Sequence, residues 1–136
     1  FIERFNSLQE GIKIVDNEMI IPAFRRVLIP TGLHFNIPEG TYLDVGTKSG
    51  RFRDTGLKVG SHVIDHDYQG EIMISLFNTA AQDAVLVSGQ SIAQLIHKNY
   101  VHSTLSKTSP GDLYSSVTTR GSNGFGSTDG YDHGGN

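Results

Sequence analysis

The sequence contains no cysteine, no tryptophan, only four prolines and no surplus of positive charge. Without cysteine, disulfides and thiolate zinc sites are excluded, and the redox state of the compartment leaves no trace in the chain. Lys and Arg number 11 against 14 Asp and Glu, a net charge of −3. Nucleic-acid binders carry a basic excess that neutralises phosphates, so no nucleic-acid partner is expected. Any phosphate this protein holds must be met by a few placed cations. No apolar run approaches the roughly 18 residues that span a bilayer, and no signal-peptide pattern opens the chain. No membrane contact is expected, and a soluble intracellular setting, cytoplasmic or nuclear, is. The first residue is Phe1 rather than Met, which points to a trimmed or processed start.

What the chain does have is glycine, 16 residues in 136, with 37% apolar content. That composition suits one turn-rich domain with a single core rather than a helical bundle. Leu33, Phe35 and Ile37 alternate with His34 and Asn36, which predicts a half-buried strand. Ile72, Ile74 and Leu76 repeat the pattern, with Met73 and Phe77 making the other face partly apolar. Met19–Ile21, Val27–Ile29, Ala84–Val87 and Ile92–Ile96 have strand composition. Turn signals separate them at Pro22, Pro30-Thr31-Gly32, Pro38-Glu39-Gly40, Ser49-Gly50, Gly60 and Ser88-Gly89. No segment keeps helical periodicity for three turns. The expectation is an all-β protein, a barrel or jelly-roll-like sandwich. Residues 97–119 read as a polar extended arm. Residues 120–136 contain six glycines and read as a flexible tail able to order on an anion through converging backbone N–H groups. The expected division is 1–119 as one domain with its arm and 120–136 as the tail.

The segment Gly60–Ile72, GSHVIDHDYQGEI, concentrates Asp65, Asp67, Glu71 and Tyr68 at one turn. A solvated turn is the ordinary reading of such acids, and packing the ordinary reading of Tyr68. His62 and His66 share a strand face, but two histidines without a third ligand do not make a zinc site. Thr47–Gly50 (TKSG) is by itself a turn. Arg120–Thr128 (RGSNGFGST) lacks the lysine and the strand-to-helix setting of a phosphate-binding P-loop.

Taken in order, TKSG, HVIDHDYQGEI, SGQSIAQLI and RGSNGFGST resemble the second to fifth motifs of the trimeric dUTP pyrophosphatases, the dUTPases. Val27–Tyr42 resembles the strands between their first and second motifs, and the likeness covers roughly residues 18–128. The resemblance implies a jelly-roll-like β-barrel, a homotrimer with sites shared between subunits, and hydrolysis of dUTP to dUMP and pyrophosphate, assisted by Mg2+. It implies that Asp65 is the general base for the attacking water and that Tyr68 lies against the deoxyribose, excluding a 2′-hydroxyl. The hairpin backbone at His62 and Ile64 would read uracil. Lys48, Ser49, Gly50 and Gln94 would serve the phosphates, and Arg120 would clamp them. Phe125 would stack on uracil, with Gly126, Ser127 and Thr128 around the γ-phosphate.

The departures from the family pattern carry their own expectations. The usual first motif reads A-G-Y-D-L, and its Asp helps hold the magnesium hydration shell. Gly11–Ile14 falls there, with Lys13 in the carboxylate's place, and lysine accepts no hydrogen bond from water. The metal ligands are therefore unassigned, and the ion is expected to be held through the triphosphate and waters. His62 stands where a glycine is usual, beside the uracil-reading backbone. A nucleotide-binding or regulatory protein with weak turnover is the alternative that these departures leave open.

Overall fold

The computed structural model describes residues 11–124. They fall into two compact units, one running to His102 and one starting at Ser103.

The described residues of the first unit form nine strands and one short helix: β1 (Lys13–Val15), β2 (Glu18–Ile21), β3 (Arg26–Pro30), β4 (Thr41–Gly46), α1 (Ser49–Thr55), β5 (Leu57–Val59), β6 (Val63–Ile64), β7 (Met73–Asn78), β8 (Ala84–Val87) and β9 (Gln94–Asn99). They make three antiparallel sheets of three strands each, in the orders β1-β2-β8, β3-β7-β5 and β6-β4-β9. The expected all-β, jelly-roll-like character holds. The described strands form three separate ladders, not one closed ring of hydrogen bonds.

One core joins the three ladders. Side chains alternate across each strand, so β7 buries Ile74, Leu76 and Asn78 while Phe77 stays exposed. Leu76 sits between Val27 of β3 and Val59 of β5 in register. Ile21, Ala84 and Leu86 come from the first sheet and Val45 from the third. Burying each of the larger aliphatic side chains contributes about 1.5–3 kcal/mol.

Three expectations need correction. Residues 33–37 form no strand: Leu33 and Phe35 are exposed and only Ile37 is buried. Their alternation is real, but the segment meets β7 only at its edge, where Leu33 carbonyl accepts from Ile72 N–H at 2.8 Å. The last strand starts at Gln94 rather than Ile92 and runs to Asn99, because Thr41–Gly46 pairs with it along its whole length. Ser49-Gly50 is not an isolated turn but the first turn of α1. That helix is seven residues long and buries nothing, so it leaves no apolar periodicity. Gly56 ends it at φ 72°, its N–H bonded to Phe52 carbonyl. A Cβ there would also lie 3.1 Å from the Ala80 Cβ, so conformation and close approach both call for glycine.

Among the described residues of the second unit there is one 3-10 turn, Pro110–Asp112, across which the Ser109 hydroxyl donates to the Asp112 carboxylate at 2.6 Å. Leu105, Leu113, Tyr114 and Val117 are exposed. No helix among the described residues is long and apolar enough to cross a membrane.

Candidate active site

The acidic hairpin joins β6 to β7. Asp65 comes directly after the two-residue strand β6, and its carbonyl accepts from Tyr68 N–H at 3.2 Å, closing the turn. Tyr68 hydroxyl donates to Glu71 carbonyl at 2.8 Å, which lays the ring over Gly70. A Cβ at Gly70 would strike the phenol, 2.6 Å from its Cζ. Glu71 is not a free acid: its carboxylate accepts from Gly32 N–H at 2.7 Å, tying the hairpin to the segment after β3. The far limb is also held by His34 Nδ1 to Gln69 carbonyl at 3.2 Å. Asp65 and Asp67 have no side-chain partner among the described residues, so they point to water. Asp65, Ile64 and Tyr68, with Val63, Ile72 and Met73, line a cavity of about 170 Å³. An exposed carboxylate with a half-exposed aromatic on a braced turn can accept a proton beside a ligand packed on the ring.

His62 stands at the entrance to this hairpin. Val45 N–H donates to His62 carbonyl at 2.6 Å, and His62 Nδ1 lies 2.7 Å from Val45 carbonyl. A carbonyl only accepts, so Nδ1 carries the proton. The side chain is turned back onto β4.

A second cluster forms where α1 meets the start of β9. Gln94 pairs with Gly46 in register, and its side-chain amide donates to Thr47 carbonyl at 3.4 Å. Thr47 hydroxyl accepts from Val59 N–H at 3.0 Å. Lys48 precedes the helix, and its ammonium has no partner among the described residues. Arg51 spans the gap: Nε and Nη2 donate to Ser91 carbonyl at 3.3 and 3.2 Å, and Nη1 to Gln90 Oε1 at 3.3 Å. Gln90 Oε1 in turn accepts from Val87 N–H. Segments about forty residues apart in sequence, TKSG and SGQSIAQLI, thus share one edge. Arg51 is the residue missed at the sequence level. Its only signal was a cation just after TKSG.

The other candidates fall elsewhere. Lys13 is exposed on β1 opposite Ile20, on the face away from Ile12 and Ile14, which pack on the core. It lines neither the hairpin cavity nor a larger one of about 390 Å³ between the β1–β2 hairpin and residues 86–92. Arg120 lies in a turn of the second unit, its Nε donating to Asn123 carbonyl at 2.7 Å. Phe125, Gly126, Ser127 and Thr128 lie outside the described residues. No group of three His, Asp or Glu side chains gathers to hold a metal among the described residues. Asp44, the carboxylate on β4, is taken by Lys98 at 2.6 Å. The hydrogen bond and charge of Asp44 raise the Lys98 pKa.

Residues 14–129 match the dUTPase family. The deoxyuridine 5'-triphosphate nucleotidohydrolase of Yarrowia lipolytica is 40% identical over 111 residues, 82% of this chain and 69% of the relative. Among solved structures, a mutant dUTPase of Staphylococcus bacteriophage 80alpha with dUpNHpp superposes with a TM-score of 0.70 at 21% identity, covering 82% of this chain and 80% of the other. A mutant dUTPase from phage phi11 of S. aureus, described with a structural Mg(II) ion, gives 0.63 at 18% identity over 74% and 80%.

Proposed function

The chain belongs to the dUTPase family, and on that premise we propose that it hydrolyses dUTP to dUMP and pyrophosphate with Asp65 as general base. The observation that carries the role of Asp65 is its place on the braced hairpin, exposed, without a competing partner, and lining one cavity with Ile64 and Tyr68. Its carboxylate takes the proton of a water attacking the α-phosphorus in line, and pyrophosphate leaves on the opposite side. Tyr68, fixed by its bond to Glu71 carbonyl, packs against the deoxyribose and leaves no room for a 2′-hydroxyl. The backbone at His62 and Ile64 meets the uracil edge. Lys48, Ser49, Gly50 and Gln94 hold phosphate oxygens from the second cluster, whose parts Arg51 fastens together. Arg120 completes the clamp, Phe125 stacks on uracil, and Gly126, Ser127 and Thr128 close over the γ-phosphate.

Among the described residues the hairpin cavity is lined by no member of the second cluster, and Leu105, Leu113, Tyr114 and Val117 are exposed. A homotrimer in which each site draws segments from several copies accounts for both observations. Divalent metal use is a property of the family. The described residues do not fit a protein-built cage, since no three suitable ligands converge. Magnesium would then be held by triphosphate oxygens and water, and it would supply neutralisation of the charge that develops on pyrophosphate.

Asp65→Asn preserves shape and removes the proton acceptor. Nucleotide binding should survive while kcat falls roughly 10²–10⁴-fold, measured by pyrophosphate release. Near-normal turnover would move the base to another residue. Tight dUTP binding without turnover in the unaltered protein would instead indicate a regulatory binder.

A further inference from the structure

We propose that His62 is a positioning residue for Asp65, its imidazole completing the β4–β6 ladder at the rung from which the hairpin departs. β6 is only two residues long, paired as Asp44 with Val63 and Leu43 with Ile64. Val63 is 61% exposed and Ile64 only half-buried, so side-chain burial holds this strand weakly. The next rung outward pairs Val45 with His62. In a narrow antiparallel pair each residue donates its N–H to the other's carbonyl. Here Val45 N–H donates to His62 carbonyl at 2.6 Å, as expected. The return bond to Val45 carbonyl comes from the imidazole Nδ1–H at 2.7 Å, in place of the backbone N–H. The side chain extends by one rung a ladder that the backbone has begun to leave.

That rung matters because Asp65 lies three residues beyond it, on the near limb of the hairpin. The far limb has several fastenings, at Gln69, Glu71 and Ile72. Among the described residues the near limb is held by the β6 pairs, the Val45 N–H bond to the His62 carbonyl and this imidazole, the last being its side-chain fastening. A small displacement of a catalytic group is enough to lower a rate substantially.

The inference rests on Asp65 as the base, and the test separates the two claims. Asn places its side-chain nitrogen where His places Nδ1, so His62→Asn keeps the donor and His62→Ala removes it. Two quantities are read for each protein: kcat/KM for dUTP, and hydrogen exchange at the Val45 amide, whose acceptor is the His62 carbonyl. His62→Ala should speed Val45 exchange and lower kcat/KM roughly five- to ten-fold, the equivalent of one hydrogen bond. His62→Asn should recover most of both. Faster exchange with unchanged kcat/KM would overturn the proposal, since the rung would then not position Asp65. Lower kcat/KM with unchanged exchange would overturn it too, by placing the ring on the substrate, as would equal impairment in both variants. If the unaltered protein fails to turn over dUTP, the role of Asp65 falls, and the exchange comparison alone decides whether the imidazole holds the rung.

Discussion

Replacing Asn78 with leucine removes the one buried polar side chain of the described core. Asn78 is fully buried at the end of β7. Its amide nitrogen lies 3.0 Å from Ile21 carbonyl, 3.2 Å from Pro22 carbonyl and 2.8 Å from Gln82 carbonyl, and its oxygen accepts from Ala80 N–H at 3.0 Å. Two amide hydrogens serve three carbonyls, so one is shared. The side chain thereby ties the end of β2 and the turn after β7 to the central sheet. Leucine has the same branching but is larger, so no cavity opens, and the loss is polar with some added crowding. The Ile21 contact is buried, and a stranded buried group costs about 1–3 kcal/mol. The other three groups are partly buried, recover some hydration and cost less. Together the loss comes to about 3–5 kcal/mol, a large share of the 5–15 kcal/mol usual for a domain. Asn78→Asp adds a pH signature. It retains the acceptor for Ala80 but turns an oxygen toward three carbonyls, and burial raises its pKa above the ordinary value near 4. Between those two pKa values the folded state holds a proton that the unfolded state has lost, so stability falls as pH rises. Urea unfolding of the three proteins at one concentration, at pH 5 and pH 8, measures both effects. A loss below about 1 kcal/mol for Asn78→Leu, or no pH dependence for Asn78→Asp, would refute this account of the core.

Truncation after Thr119 should leave the first unit folded, because its described core lies wholly before Ser103. It should cost at least about 100-fold in kcat/KM by removing the phosphate clamp proposed for Arg120 and the uracil stack proposed for Phe125. Normal hydrolysis by the shortened chain would leave the tail without a role in catalysis. Arg51→Ala should raise KM for dUTP by roughly three- to ten-fold by releasing α1 from Ser91 and Gln90. Arg51→Lys should do little better, since an ammonium cannot span both partners as the guanidinium does. Full recovery by lysine would show that charge alone matters at that position.

Alternation made β7 legible because one face of the strand meets the core along its length. The same signal misled at Leu33–Ile37. Periodicity reports an apolar face, not whether a neighbouring strand offers a ladder, and within Leu33–Ile37 the one backbone-to-backbone bond is at Leu33. β4 drew no expectation of its own: its apolar run is interrupted by Asp44, which in the fold is paired with Lys98. α1 was too short and too exposed to leave a period, and Gly56 was its only mark. For the site, the hairpin acids stood out because Asp65, Asp67 and Glu71 fall within seven residues of sequence. The meeting of Thr47 with Gln94, and of Arg51 with Ser91, depends on the β4–β9 register, which no local pattern encodes.

Gly70 sits on an exterior turn, where substitutions are ordinarily harmless, yet the Tyr68 ring occupies the space any side chain would need. In a population of drifting sequences that position should behave like a core residue and stay glycine for as long as residue 68 is a tyrosine anchored to Glu71. Variation at 70 should become permissible only after the aromatic is lost, so the order in which the two changes arise is fixed by their shared volume.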